Sequence, residues 1–249
     1  MELIILGSGT AIPTIRRSSP GLLIRVAGEN LLFDGGSGTL RRLAEAGIDI
    51  REIDLVFYTH LHPDHTADLV PLLFALKNPD YKRGKTLYLS GPPGFNGFYR
   101  HLIGIYGESI LPTDYPLYLK DLKDETWVLG GWSITAKSVI HTRQSLAYRV
   151  EATGKAIVYS GDTDYCQAIV DLAMGSDLLV LECAFPNERR FPGHLTPSLA
   201  GEIASRAGCK HLILTHFYPV CEGYDLLSQC RKTYSGEVTL AEDLMRFTV

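Results

Sequence analysis

Between Thr59 and His65 the chain reads THLHPDH, three histidines and one aspartate in six positions. In an extended segment residues i and i+2 share a side, so His60 and His62 face one way and Leu61 turns toward the core. A helix would set the two imidazoles nearly opposite each other, and Pro63 biases the residue before it away from helical geometry. Two imidazoles placed this way can reach one metal at about 2.0–2.1 Å. Asp64 and His65 come one step later, as the chain turns into a helix, so they point elsewhere and are expected to serve a second metal beside the first.

The bulk properties frame this motif without competing with it. A chain of 249 residues with 45% hydrophobic and 21% charged residues is an ordinary globular composition and long enough to bury a sizeable core. The net charge of −4 comes with no basic run or tail, which argues mildly against a large nucleic-acid partner. Five cysteines with no C-x-x-C spacing argue against a disulfide framework. The start, MELIILGSGT, carries no basic leader, and no apolar run reaches about 18 residues. A cytoplasmic location and no membrane association are expected.

Short β-rich runs alternate with helical ones, and Gly or Pro marks the breaks. Strands are expected at LIIL (3–6), LLIRV (22–26), LLFD (31–34), DLVFYTH and KTLYLSG, with several more between Leu117 and Val150. A helix is expected after Ser37 as N-cap, ending at Gly47, and another from just after Pro63 to about Lys77. Later come a helix over Phe95–Tyr106, the strands KAIVYSGD, DLLVLEC and HLILTH, a helix opened by Thr196-Pro197, and one near Tyr224–Tyr234. Strands grouped and then alternating with helices suggest a sandwich of sheets covered by helices, in a single domain over residues 1–249.

Two metal sites need more donors than one motif supplies, and three strand ends offer them. His141 closes WSITAKSVIH, Asp162 closes AIVYSGD, and His216 closes HLILTH. With LGSGTAIP near the start, FDGGSGT, THLHPDH, SGDT and LTHF in that order, nearly the whole chain resembles the metallo-β-lactamase superfamily. The resemblance implies an α/β fold, a four-layer αββα sandwich with a dinuclear site between its sheets. It implies that His60, His62 and His141 hold one metal, that Asp64, His65 and His216 hold the other, and that Asp162 bridges. Zn²⁺ is the first expectation for the two divalent ions, with Mn²⁺ or Fe suited to the same ligands. Two divalent ions less Asp64, Asp162 and a bridging hydroxide leave roughly one positive charge, suited to an anionic substrate and an activated water.

Residue types narrow the branch. Secreted β-lactamases have a cysteine ligand where this chain has Asp162; flavodiiron proteins replace the position of His62 with Glu; glyoxalase II enzymes add a long helical tail, whereas 33 residues follow His216 here. LGSGTAIP, LFDGGSGTLRRL, SGPPG, LECAF and GHLT resemble ribonuclease Z and its smaller phosphodiesterase relatives. That likeness implies that Glu182 and His194 stand beside the metals and that His194 protonates a leaving group, so Glu182, His194 and the ligand Asp64 are the expected catalytic groups. It also implies a frequent homodimer.

Ribonuclease Z carries a tRNA-gripping arm, which its bacterial form places between the third histidine and the bridging aspartate. Only 20 residues separate His141 from Asp162, room for two strands and a turn. Asp68, where the family often has Gly, adds a carboxylate expected at the rim of the site and unhelpful to RNA. The expected function is therefore a phosphodiesterase cleaving a small or cyclic phosphodiester with a metal-activated hydroxide. A ribonuclease Z-type tRNA 3′-end endonuclease ranks second. A lactone or thioester hydrolase and a non-catalytic metal-bound sensor follow. Eight aromatic residues between Tyr81 and Tyr118 are expected to pack a helix and loop onto the sandwich rather than wall the site. No role is assigned to His101 or His211.

Overall fold

The computed structural model describes residues 1–249. Two seven-stranded sheets lie face to face. The first runs β14-β1-β2-β3-β4-β5-β6, with β1 Glu2–Gly7, β2 Gly21–Val26, β3 Glu29–Phe33, β4 Ile53–Phe57, β5 Leu87–Gly91, β6 Leu117–Asp121 and β14 Arg246–Thr248. The second runs β13-β12-β11-β10-β9-β8-β7, with β7 Glu125–Leu129, β8 Trp132–Ser138, β9 Leu146–Ala152, β10 Lys155–Tyr159, β11 Leu178–Glu182, β12 His211–Thr215 and β13 Glu237–Leu240.

Strand periodicity assigns each residue to a layer. Leu3 and Ile5 of β1 point into the core between the sheets, where they meet Val180 and Ile213 from the second sheet. Ile4 and Leu6 point the other way, under the helices α1 Thr39–Glu45, α3 Leu69–Leu76 and α4 Phe95–Tyr106. Leu179 and Leu181 of β11 face α5 Gln167–Ala173, α6 Pro197–Ala207 and α7 Leu226–Cys230. Both faces of the central strands are buried, hence their near-continuous apolar runs. The layers are helices, sheet, sheet, helices: the expected αββα sandwich.

The site follows from topology. Strands β3 to β6 are mutually parallel, and so are β10 to β13. Asp34 follows β3, His60 follows β4, Asp162 follows β10, Glu182 ends β11 and His216 follows β12. Parallel neighbours bring these carboxyl-terminal ends to one edge of the sandwich, where loops from both sheets meet.

Three local expectations need correction. Gly38, at φ 92°, occupies the N-cap of α1 in place of Ser37, and the capping acceptor is the Asp68 carboxylate, which takes the Leu40 N–H at 2.9 Å. Asp68 thus ties two helices together rather than guarding the rim. The helix expected from Pro63 to Lys77 is split into α2 Pro63–Thr66 and α3. Its ladder is interrupted because Gly35 N–H donates to His65 O (2.7 Å) and Gly35 O accepts from Asp68 N–H (2.8 Å). Gly36 permits that approach, since a Cβ there would lie 2.0 Å from Asp64 O. Thr196 stands at the N-cap of α6 with Pro197 behind it, but its side chain makes no capping bond.

Of the eight aromatic residues of 81–118, three pack into the core as expected, while Tyr88, Tyr106 and Tyr118 are exposed. Phe95, Tyr99 and Tyr115 are buried in the core beneath α3 and α4, and Phe95 stacks on Tyr58 at 5.2 Å. Tyr88 and Tyr118 stack on each other on adjacent strands β5 and β6.

Candidate metal centre

The strand β4 ends at Phe57, and Tyr58–His62 continues as an extended connector; His62 has φ −65°, ψ 148° before Pro63 starts α2. That extension sets His60 Nε2 3.0 Å from His62 Nδ1, while His141 Nε2 arrives 3.2 Å from the same Nδ1. Asp162 Oδ2 closes this group at 3.8 Å from His60 Nε2 and 3.6 Å from His141 Nε2. Around the other carboxylate oxygen, Asp162 Oδ1 lies 3.3 Å from His65 Nε2 and 3.2 Å from His216 Nε2, with Asp64 Oδ2 3.7 Å from His216 Nε2. The seven residues named from sequence thus form two adjacent clusters sharing Asp162.

The donor chemistry fits two cations. His65 Nδ1–H donates to Asp34 Oδ2 at 2.8 Å, His141 Nδ1–H donates to Gly193 O at 2.8 Å, and His60 Nδ1–H donates to Thr59 Oγ1 at 3.0 Å. Each bond leaves a lone pair on Nε2, so the lone pairs of His60 and His141 converge on His62 Nδ1, and only one of those contacts can be an N–H···N bond. Four ligands on a tetrahedral ion with 2.0–2.1 Å bonds sit about 3.3 Å apart, the middle of the observed range. Asp162 Oδ1 is buried and has no hydrogen-bond donor, and an orphaned buried carboxylate oxygen is costly without a cation.

Charges adjust accordingly. Burial depresses His60 and His141, keeping them neutral. Burial also opposes charge on His65, but Asp162 and Asp34 outweigh it and push that imidazole well above its usual range, a positive charge that a cation at Nε2 would replace. Burial would raise Asp162; His216, His65 and His60 overcome it and keep the carboxyl well below the ordinary carboxylate range. The pocket therefore presents ionised carboxylates among imidazoles.

Several further groups position these ligands. Asp34 is fully buried and accepts from Thr59 N–H (2.8 Å), Tyr159 O–H (2.9 Å) and His65. It has φ 56°, and His216 has φ 61°, both unusual for non-glycine residues. Gly161, at φ 56°, lets Asp162 come in beside His60; a Cβ there would lie 2.6 Å from Thr59 Cβ. Ala11 N–H donates to Asp64 Oδ2 at 3.1 Å, which explains the place of the LGSGTAIP loop. Asp34 ends the strand LLFD, and its position after a strand is the one signal that pointed to it.

His194 and Glu182 complete the pocket. Glu182 Oε1 lies 2.8 Å from His194 Nδ1, and the Glu182 carboxylate also accepts Thr163 N–H and Ala184 N–H. With both oxygens taken by N–H donors, Glu182 is the ionised partner, and it raises His194 against the lowering effect of burial. A nitrogen of His194 lies within 4.8 Å of donor atoms of Asp162 and His216. Asp164 staples this loop down: its carboxylate accepts Gly193 N–H at 2.9 Å, and its own N–H donates to Ile140 O. His101 lies exposed on α4, and His211 bonds Thr239 Oγ1 at the far end of β12.

A sequence profile described as the beta-lactamase superfamily domain matches residues 29–217. Ribonuclease Z of Brevibacillus brevis is 31% identical over 315 aligned positions that cover 100% of this chain and 97% of that protein. The aligned length less the 249 residues here leaves 66 positions present only in that relative. The metallo-beta-lactamase fold protein YhfI from Bacillus subtilis superposes with a TM-score of 0.85 at 26% identity, covering 99% of this chain and 98% of that one. Human tRNase Z, short form, gives a TM-score of 0.81 at 24% identity over 100% and 99% of the two chains, a likeness of fold.

The chain belongs to the metallo-β-lactamase superfamily, in its ribonuclease Z-like branch. It is a metal-dependent hydrolase, and no helix in it is long and apolar enough to cross a membrane.

Proposed function

We propose that this chain is a dinuclear phosphodiesterase that cleaves a small or cyclic phosphodiester. The observation that carries the reading is the Glu182–His194 pair beside the shared Asp162. His60, His62 and His141 would hold one ion and Asp64, His65 and His216 the other, with Asp162 between them. When bound, two divalent ions, Zn²⁺ first among the candidates, polarise the phosphoryl group and lower the pKa of a water toward 7. Asp34, Thr59 and Gly193 fix the imidazole tautomers so that lone pairs face inward. His194, held protonated by Glu182, donates its Nε2 proton to the departing alkoxide, a contribution of about 10²–10⁴-fold in rate. Asp64 would hold its ion through Oδ2, the oxygen turned toward His216 and steadied by the Ala11 N–H.

A small substrate is favoured by what joins β9 to β10. Ala152 pairs with Lys155, so Thr153 and Gly154 alone turn the hairpin, and no arm rises between His141 and Asp162. All five cysteines are free and buried, which supports a reducing, cytoplasmic setting for a single-domain enzyme.

The ribonuclease name of that relative favours a second reading, endonucleolytic cleavage at tRNA 3′ ends. The purified protein should carry about two metals per chain and turn over bis(p-nitrophenyl) phosphate or a cyclic nucleotide. Failure on both with metals present would sink the first reading, and accurate cleavage of precursor tRNA would replace it with the second.

A further inference from the structure

The aromatic residues of this chain that stand beside the pocket are not those of 81–118. Phe185 follows Glu182 by three residues, Phe191 precedes His194 by three, and Tyr218 follows His216 by two. The loops at the ends of β11 and β12 therefore bring three rings around the His194 imidazole, with centroids at 5.7, 6.3 and 6.3 Å respectively. Phe185 and Tyr218 are stacked at 4.8 Å and 13°, and Phe191 packs obliquely on Phe185 at 5.7 Å. These rings are not core: Phe185 and Tyr218 are half-buried and Phe191 is 58% exposed.

An exposed aromatic cluster is costly to keep in water unless something covers it. Its place identifies the cover. The group expelled at His194 must extend from the oxygen that the imidazole protonates, and three aromatic rings lie within 6.3 Å of that imidazole. A gap of 5.7 Å between Phe185 and Phe191 is too narrow for an inserted ring, so an occupant stacks on the outer faces, at the 4.5–7 Å separations that aromatic pairs prefer. The same loop carries Glu188, Arg189 and Arg190, with Arg190 paired at 3.3 Å to Asp164, so the charges there largely balance, and it is the stacked rings that suit a planar aromatic compound better than a lipid or an alkyl ester.

We infer that Phe185, Phe191 and Tyr218 form the subsite for the leaving group and that it takes a planar nucleobase, so that the departing alcohol is a nucleoside or nucleotide. This deepens the phosphodiesterase reading and rests on it. Base stacking on an aromatic side chain, measured by alanine substitution, corresponds to roughly 5- to 150-fold in affinity.

The test compares adenosine 5′-monophosphate with ribose 5-phosphate, which share the phosphate and sugar and differ in the base. Calorimetric titration of the metal-loaded wild type should show the adenylate binding at least about fivefold more tightly. Phe191→Ala should abolish that preference while leaving ribose 5-phosphate affinity and melting temperature unchanged. Equal affinities in the wild type, or a preference that survives in Phe191→Ala, would overturn the subsite. Its fate is separable from that of the parent reading. An enzyme that turns over no phosphodiester yet shows the Phe191-dependent preference retains the base site and loses the assigned reaction.

Discussion

Glu182 Oε1 and His194 Nδ1 are 2.8 Å apart in a pocket where both side chains are almost wholly buried. Burial alone would deprotonate the imidazole, and the carboxylate reverses that, raising His194 above its ordinary 6.5. The protonated form, which is the proton donor, thus persists to higher pH than an isolated histidine would allow. Activity that depends on it is complete below the unperturbed value and declines as pH rises through the raised one. Glu182→Gln removes the charge and should move this alkaline limb of kcat to lower pH. His194→Ala should cost about 10²–10⁴-fold with a poor alkoxide leaving group and much less with p-nitrophenolate, which needs no proton. Equal losses on both substrates would deny His194 the role of acid.

The shared position of Asp162 makes the two clusters unequal in their response to mutation. His65→Ala removes a donor from one group only, so metal content by elemental analysis should fall from about two to about one per chain. Asp162→Ala opens both groups and should bring it below one. Chelation of the wild type should also lower stability, since ions bound only to the folded state at about 100 times their Kd contribute about 2.7 kcal/mol. For a chain of this size that corresponds to a fall of about 5–10 °C in melting temperature for each ion removed. A melting temperature indifferent to chelator would count against metals in this cluster.

Asp34 controls the second cluster from behind. Asp34→Asn would set an amide –NH₂ against His65 Nδ1, turn that nitrogen into an acceptor and move the ring proton to Nε2, where the metal lone pair should be. Loss of such an outer partner typically costs about 10–100-fold in metal affinity. Competition with a chromogenic chelator should show one of two ions weakened by that factor, with the far-ultraviolet circular dichroism spectrum unchanged.

What was legible in the sequence follows from how local each signal is. His60 and His62 declare themselves by i, i+2 spacing before a proline, and His141, Asp162 and His216 by closing apolar runs. Asp34 closes a run equally well, yet its meaning lies in Thr59 and Tyr159, 25 and 125 positions away. Aromatic density drew attention to 81–118, but Phe95 and Tyr99 recur at helical spacing and simply fill the core. The rings near His194 are sparse in sequence because three separate positions supply them. An apolar run after Pro63 predicts a continuous helix, and it fails because Gly35 takes the hydrogen-bonding groups of His65 and Asp68.

Asp68 gives the sharpest test of that correction. Its carboxylate accepts the Leu40 N–H of α1, and burial raises its pKa despite that bond and those from Gly38 and Thr39. A raised carboxyl pKa means that the folded chain binds this proton more tightly than the unfolded one. Its contribution is therefore fully present below the unfolded value of about 3.9 and is lost as pH rises through the folded one. At neutral pH the cap is kept at the expense of a partly desolvated charge. Asp68→Ala removes the acceptor and should cost about 1 kcal/mol, a fall of roughly 2–4 °C in melting temperature, without changing kcat. Asp68→Asn keeps an acceptor and discards the charge, so at pH 7 it should melt at or above the wild type. That advantage should close toward pH 4 as the wild-type carboxyl takes up its proton. If Asp68→Ala instead lost activity without losing stability, Asp68 would belong to the rim of the pocket after all.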